Sequence, residues 1–235
     1  MAHFCTNPCR IPLSSCKPWY RWATFLGFLF LFSICQLALF VPLARWAHKH
    51  PVDSIDLAIT HAFQKKHSPF LVRLALVINF IGGSPRLLLV LLIPLALFFW
   101  KVHLRLEAVR VTVTYMASEL IVLLVKHFVN RPRPSPHLVH IYHPRSGKSF
   151  PSGNVVASMT FWGTLLIQGM IHLRGKPVWQ KALLALPVPF IVLIGPARIY
   201  LGDHWASDVL GSYLFGSGWF GLSLALYLRL KKEGV

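Results

Sequence analysis

Three short polar segments in an otherwise apolar chain contain the side chains that could do chemistry. They run from Lys126 to Pro134, from Pro151 to Asn154 and from Arg198 to Asp208. The first and third are rich in cations, and the second has the small residues that often begin a helix. Their composition predicts a site for an anion, and guanidinium groups favour phosphate as that anion.

The cations of these segments are Lys126, Arg133 and Arg198. Lys126 and Arg133 are seven residues apart, and the bend expected at Pro132 can direct both side chains towards one point. Arg198 adds a planar guanidinium that matches the geometry of phosphate oxygens. We therefore expect the three cations to bind one phosphate group.

Ser152 and Gly153 lie where a helix is expected to begin. Backbone N–H groups in a first helical turn have no acceptor within the helix, and together with the helix dipole they bind phosphate. Three cations and two backbone donors suit the pentacoordinate state of a phosphoryl group under attack.

His204 and Asp208 are four residues apart at the start of a predicted helix, so their side chains share one face. A carboxylate that holds one imidazole nitrogen as N–H leaves the other nitrogen free to attack. His204 is therefore the candidate nucleophile, and a phosphohistidine is the expected intermediate. This scheme requires no metal ion and no other cofactor.

The composition indicates which solvent surrounds these segments. Of the 235 residues 55% are apolar and 13% are charged, and the mean hydropathy is +0.57. These values exclude an ordinary soluble domain and a disordered chain. The net charge of +17 would suggest nucleic acid in a soluble protein, but here the basic residues lie between long apolar runs. We expect the bilayer and a membrane lipid phosphate as partners, and no nucleic acid.

Six apolar segments predict an all-α membrane protein, a bundle of six transmembrane helices. Interfacial helices are expected between spans one and two: an amphipathic helix within residues 44–68 and a short helix before the break at Gly82. The membrane domain is predicted at residues 22–230, between cytoplasmic tails of residues 1–21 and 231–235. The spans are predicted at residues 23–41, 85–100, 109–125, 155–171, 181–195 and 205–228.

The order of the spans brings the three polar segments to one membrane face, whichever way the chain inserts. Lys and Arg number 12 on each side of this bundle, which gives no orientation. Removing the three cations assigned to chemistry leaves nine on the side of the site, which favours cytoplasmic termini. The site is then expected at the outer face of the cell membrane.

The three segments resemble the signature motifs of a known family, the type 2 phosphatidic acid phosphatase superfamily of integral-membrane lipid phosphate phosphatases. The matching patterns are Lys126-x6-Arg133-Pro134, Pro151-Ser152-Gly153 and Arg198-x5-His204-x3-Asp208. Their order, spacing and positions at span ends match as well. The resemblance implies a six-helix bundle with cytoplasmic termini and a site open to the outer face. It also implies His204 as nucleophile, Asp208 as its orienting partner, and a phosphate cradle of Lys126, Arg133, Ser152, Gly153 and Arg198.

Two positions depart from the family pattern. Ala197 stands where the family usually has Ser, which removes one hydroxyl donor. Asn154 stands where the second motif usually has the His that protonates the leaving oxygen. Asparagine donates a hydrogen bond but delivers no proton at neutral pH, and general acid catalysis is worth about 100- to 10,000-fold in rate.

Three explanations of Asn154 remain open at this point. The chain is an impaired variant, natural or introduced; or its substrate is a diphosphate, whose leaving phosphate needs less help from a proton than an alkoxide does. In the third, another histidine supplies the proton, from among His127, His137, His140 and His143.

We therefore expect an integral-membrane lipid phosphatase acting on a lipid of the phosphatidic acid, phosphatidylglycerol phosphate or polyprenyl diphosphate class. The alternative from another functional class is a lipid-phosphate binding protein that has lost turnover because of Asn154. A transporter is disfavoured, because the sequence has no internal repeat and its polar segments gather at one face.

Overall fold

The structure is a computed structural model that describes the backbone of residues 17–233 and the side chains of residues 22–232. Residues 1–16 of the predicted N-terminal tail and residues 234–235 of the predicted C-terminal tail lie outside the described residues. Nine α-helices make up most of the described part of the chain. Their bounds are α1 Lys17–Lys49, α2 Ser54–Gln64, α3 Pro69–Val77, α4 Pro85–Lys101, α5 Arg105–Val129, α6 Gly153–His172, α7 Val178–Ala182, α8 Pro187–Tyr200 and α9 Ala206–Glu233.

The predicted all-α membrane fold is confirmed. Five helical segments are long and apolar enough to cross a membrane, and a bent pair forms a sixth if it counts as one span. Large apolar side chains cover the outside of the bundle; Phe28, for example, is 69% exposed and Phe128 74% exposed. In water such a surface is unfavourable, whereas lipid tails solvate it. The five segments are Trp22–Lys49, Arg105–Val129, Gly153–His172, Val178–Tyr200 and Ala206–Lys232.

Helices α3 and α4 form a bent pair that makes one broken span if the two are counted together, and that span then begins earlier than the sequence predicts. We expected a short interfacial helix before a span at residues 85–100. In the structure α3 continues through a π-helical turn at Ile78–Gly82, and α4 follows at an angle of 43°. Ala75 and Ile78 are buried in a cluster with Ile194 of α8, so the first half packs within the bundle. The break occurs at glycine, and Pro85 then begins α4.

Helix α2 is the amphipathic helix predicted between spans one and two, and its polar face points into the protein. Asp53 caps it by accepting a hydrogen bond from the N–H of Ile55. Asp56, Thr60 and Gln64, at a spacing of four, are buried. The side chain of Ile55 is 66% exposed on the opposite face. This distribution suits a helix whose apolar face contacts lipid and whose polar face binds the protein.

The C-terminal ends of α5 and α9 can be compared with the ends predicted from the sequence. Helix α5 ends at Val129, because Asn130 adopts a left-handed conformation and Pro132 follows, as expected from the sequence. Helix α9 extends to Glu233, past the predicted boundary at residue 230. Lys231, assigned above to a tail, donates a hydrogen bond of 2.7 Å to Oε1 of Glu107 at the start of α5.

Candidate active site

The three polar segments meet at one end of the bundle. The first follows the C-terminal end of α5, the second begins α6, and the third joins α8 to α9. Helix α9 packs against α1 and α6, and α6 packs against α5 and α8. Because α5 and α8 end where α6 and α9 begin, the packing of these helices gathers residues that lie up to 82 positions apart in the sequence.

A buried guanidinium fixes this end of the bundle. Arg131 is 1% exposed, and its Nη1 donates at 2.7 Å to Oδ1 of Asp208 on α9. Its Nη2 donates at 2.7 Å to Oδ2 of Asp56 on α2. Ser207 completes the cluster, because its N–H and hydroxyl both donate to Asp56. One cation thus ties the loop after α5 to an interfacial helix and to the helix that carries the candidate orienting acid.

His204 lies beside Asp208, with Ser149 between them. Its Nδ1 is 3.5 Å from Oδ2 of Asp208 and 3.4 Å from Oγ of Ser149. The hydroxyl of Ser149 donates to Oδ2 of Asp208, and the N–H of Trp205 donates to the same oxygen at 2.9 Å. Both oxygens of Asp208 are therefore held, and the carboxylate faces the Nδ1 side of the imidazole.

The other imidazole nitrogen faces the cations. Nη1 of Arg133 lies 3.1 Å from Nε2 of His204 and donates at 2.8 Å to the carbonyl of Asp203. A guanidinium has only donors, so Nε2 is the acceptor and carries no proton. The neutral ring then carries its proton on Nδ1, towards Ser149 and Asp208. This is the tautomer that a nucleophilic Nε2 requires.

The environment of His204 keeps its ring neutral. Burial lowers the pKa of His204 well below its ordinary value of 6.5, and the charges of Arg198, Arg133 and Lys126 lower this pKa further. The three cations predicted from the sequence thus act on one imidazole. Each is also held in place: Lys126 donates to the carbonyl of Ser149 at 3.2 Å, and Arg198 pairs with Asp203 at 2.6 Å.

The first turn of α6 differs in detail from the sequence prediction. Ser152 is the N-cap residue, but its backbone N–H donates to Oγ of Ser212 at 2.7 Å, so this N–H already has an acceptor. Its hydroxyl is buried and has no hydrogen-bond partner among the residues that the structure describes. Gly153 is the first residue of the helix, where amides lack an intrahelical acceptor. The donors that this turn can offer to a phosphate are the Ser152 hydroxyl and the amides that begin with Gly153.

Asn154 is buried and hydrogen-bonded. Its Nδ2 donates at 2.8 Å to Oδ1 of Asn79, which lies in the π-helical turn of the broken span. The same oxygen accepts a bond of 2.6 Å from Nη1 of Arg198. The amide therefore lies beside Arg198, one of the cations predicted to bind phosphate.

A cavity of about 370 Å³ lies beside the site. Arg133 lines it, and so do Arg145 and Asp203, so the side chain that contacts His204 also forms the cavity wall. The loop between α5 and α6, which includes His140, packs closely against Gly202, whose φ is +72°. A Cβ there would lie 2.3 Å from the carbonyl of His140, so this close approach requires glycine.

Among the four histidines considered as a substitute acid, two lie near this cavity. His140 lines it, and Nδ1 of His143 accepts a bond of 3.0 Å from Nε of Arg145, another lining residue. His127 is exposed on α5, and His137 lines a separate open groove. Proton donation by any of them stays a prediction.

Four residues of the site were missed by the sequence analysis: Asp56, Asn79, Arg131 and Ser149. Arg131 lies between two predicted cations, and nothing in the spacing distinguishes a carboxylate clamp from a phosphate ligand. The spacing of Asp56 with Thr60 and Gln64 was a usable signal, because it marks a polar stripe on α2. Asn79, three residues before Gly82, was visible as a polar residue next to a helix break.

Comparison with known proteins places this site in a family. The family model of the PAP2 superfamily matches residues 107–232, which include all three polar segments. The chain belongs to the PAP2 superfamily.

Solved and characterised members of the PAP2 superfamily agree with the fold. Phosphatidylglycerophosphatase B of Bacillus subtilis (strain 168) is 29% identical over 179 residues, which cover 75% of this chain and 85% of that protein. The crystal structure of a transmembrane PAP2-type phosphatidylglycerolphosphate phosphatase from Bacillus subtilis superimposes with a TM-score of 0.74 at 24% identity, covering 84% of this chain and 96% of that one. The crystal structure of Aquifex aeolicus LpxE superimposes with a TM-score of 0.57 at 25% identity, covering 74% of this chain and 98% of that one. The chain is an integral-membrane phosphatase of the lipid phosphatase type.

The double ion pair of Arg131 predicts a large loss of stability when the cation is removed. Arg131→Met leaves the carboxylates of Asp56 and Asp208 buried without a counter-charge, so we expect the free energy of unfolding to fall by about 3–5 kcal/mol. Thermal unfolding in detergent, followed by circular dichroism, measures the change. Arg145→Met, on the exposed loop, is the matched control and should change it by less than about 0.5 kcal/mol. Equal stability of Arg131→Met and the parent would contradict the clamp.

The lowered pKa of His204 predicts an acid-tolerant nucleophile. A histidine loses nucleophilicity as pH falls through its own pKa. The midpoint of the acid limb of kcat/KM that arises from His204 should therefore lie below pH 6.5. The substrate phosphate has a second pKa of about 6, which also shapes the acid limb. This pKa must be measured separately by phosphorus NMR in the same micelles. An acid limb above pH 6.5 that the substrate does not explain would contradict this environment.

Proposed function

We propose that this phosphatase removes the terminal phosphate of a membrane lipid phosphate or diphosphate, with His204 as the nucleophile. The observation that carries the proposal is the buried neutral imidazole, with Nδ1 towards Asp208 and Nε2 in contact with the guanidinium of Arg133. Phosphatidylglycerophosphatase B is named for its action on one such lipid phosphate.

Substrate binding begins with an exchange of partners at Arg133. Without substrate, its Nη1 lies 3.1 Å from the nitrogen that must attack. A phosphate oxygen is a stronger acceptor than a neutral imidazole, so the guanidinium turns to the phosphate and frees Nε2. Lys126 and Arg198 neutralise further oxygens, and the first turn of α6 from Gly153 contributes backbone N–H donors. The Ser152 hydroxyl is a further donor in the same place.

The reaction then proceeds by two displacements at phosphorus. The lone pair of Nε2 attacks, the bond from phosphorus to the leaving oxygen breaks, and a phosphohistidine forms on His204. The ring becomes positively charged, and Asp208 and Ser149 stabilise this charge from the Nδ1 side. Water next attacks the phosphohistidine, which releases inorganic phosphate and restores the neutral ring. The cations stabilise the negative charge of both transition states.

The proposed orientation follows from charge. Removing Lys126, Arg133 and Arg198 from the count of Lys and Arg leaves fewer cations on the side of the site than on the side of the termini. The termini are then cytoplasmic and the site opens to the outer face, with lipid entering from that leaflet. The membrane domain of residues 22–230 carries the whole activity.

Asn154 favours a diphosphate within this substrate class. An alkoxide leaving group needs a proton during bond cleavage, and an amide supplies none. A phosphate leaving group is a much weaker base and leaves as an anion. The cavity beside His204 is lined by Arg133 and by Arg145, and these guanidinium groups suit the second phosphate.

Substitution of the nucleophile tests the proposed function. Purified protein is assayed for phosphate release from phosphatidic acid, phosphatidylglycerol phosphate and a polyprenyl diphosphate in mixed micelles. His204→Asn should lower kcat/KM by at least about 1,000-fold, because the proposed phosphohistidine cannot form without the imidazole. His172→Asn, the same change at the opposite end of the bundle, should leave activity within about threefold. Unchanged phosphate release by His204→Asn would overturn the assignment.

Restoring a general acid tests the leaving group. Asn154→His should raise turnover of the two monoesters by about 100-fold or more, since a histidine can protonate their alkoxides. It should change turnover of the diphosphate by less than about tenfold, because that leaving group gains little from a proton. Equal stimulation of all three lipids from a nearly silent parent would indicate an impaired enzyme that binds lipid phosphate, and would contradict the diphosphate preference.

A further inference from the structure

We infer that Asn79, in the broken second span, is a positioning residue that sets the donor directions of Asn154 and Arg198 towards the substrate. The inference rests on the proposed function and extends it to a residue outside the three motifs. Asn79 is 5% exposed, and its Oδ1 accepts 2.6 Å and 2.8 Å bonds from Arg198 and Asn154, respectively.

The two hydrogen bonds accepted by Oδ1 of Asn79 form a relay between Arg198 and Asn154. The chemistry of the groups fixes which atoms take part. A guanidinium only donates, so the atom of Asn79 that contacts Arg198 is its carbonyl oxygen. The atom of Asn154 that contacts the same oxygen must then be its nitrogen. One N–H of Asn154 is thus committed to Asn79, and its second N–H and its oxygen are fixed in direction by the same bond.

The backbone around Asn79 is built for this contact. The π-helical turn Ile78–Gly82 offsets the helix by one residue, a distortion that often occurs at functional sites. At Gly83 a Cβ would lie 2.8 Å from the carbonyl of Asn154, so only glycine lets the broken span approach α6 this closely. The carbonyl of Gly82 is satisfied by Nε1 of Trp162 on α6 at 3.0 Å.

The relay gives Asn154 a defined part in the reaction. With one N–H held by Asn79, the second N–H serves as a neutral donor to the oxygen between the transferred phosphorus and its leaving group. Arg198, held at Nη1 by Asn79 and paired with Asp203, keeps its remaining donors for the transferred phosphate. The same acceptor oxygen can hold one ring N–H of a histidine at position 154, which would leave the other ring nitrogen for proton transfer.

A double-mutant cycle separates positioning from a merely structural contribution. Asn79→Leu removes the acceptor at nearly constant volume and should lower kcat/KM about 10- to 100-fold, the usual effect of losing a hydrogen bond to a charged group. Asn154→Ala should lower it by a similar factor. The double variant should fall no more than about threefold below Asn154→Ala, since Asn79 acts largely through Asn154. Independent, multiplying effects would overturn the relay.

Two further variants control the experiment. Asn79→Asp keeps an oxygen that accepts both bonds, and should retain at least about tenfold more activity than Asn79→Leu. Phe80→Leu changes the exposed neighbour in the same π-helical turn, and should leave both thermal stability and kcat/KM near those of the parent. Equal loss in Asn79→Asp and Asn79→Leu would contradict the acceptor role.

The experiment distinguishes failure of this inference from failure of the proposed function. Lipid hydrolysis that depends on His204 but is unchanged within twofold by Asn79→Leu overturns only the inference. If the parent chain releases no phosphate from any lipid, the proposed function fails, and binding of vanadate, which mimics a pentacoordinate phosphoryl group, tests the relay directly. Asn79→Leu should then weaken vanadate binding about tenfold in the parent but no more than about threefold in the Asn154→Ala background, and unchanged binding by Asn79→Leu would overturn the relay.

Discussion

The buried guanidinium of Arg131 is the interaction on which the catalytic end of the bundle depends. It binds Asp208 and Asp56 at 2.7 Å each and thereby joins α9, α2 and the loop after α5. Removing one partner of such a cluster leaves charges in a low-dielectric interior, which is why the three elements are held together so firmly. Arg131 binds one oxygen of Asp208, and the other oxygen faces His204.

Charge balance explains how the ring of His204 can stay neutral at a site that attracts phosphate. Lys126, Arg133 and Arg198 surround an imidazole, and of the carboxylates there Asp203 pairs with Arg198 while Asp208 pairs with Arg131. The excess positive charge disfavours protonation of His204 and favours binding of an anion. In the proposed mechanism a bound phosphate supplies the missing negative charge and the transition state supplies more of it, so the cations contribute most during the reaction.

The sequence predicted the parts of this account that depend on local pattern. Apolar runs indicated the spans, and the spacing of Lys126, Arg133, Arg198, His204 and Asp208 indicated a phosphate site at one face. It could not predict contacts between distant residues. Arg131 was indistinguishable from a phosphate ligand without α2 beside it, and no pattern in the sequence placed Asn79 beside Asn154 of α6. The π-helical turn between α3 and α4 was not predicted, because such a turn leaves no periodic signal in the sequence. Helix α9 also runs past the predicted domain boundary at residue 230, and there Lys231 binds Glu107 across the bundle.

The central claim is that the imidazole of His204 attacks phosphorus before water does. The most direct measurement is the stereochemical course of hydrolysis of a lipid thiophosphate made chiral at phosphorus with oxygen isotopes, in isotopically labelled water. Two successive in-line displacements, through a phosphohistidine, give overall retention of configuration at phosphorus, and this is the result expected. Inversion would show a single direct attack by water and would contradict the account.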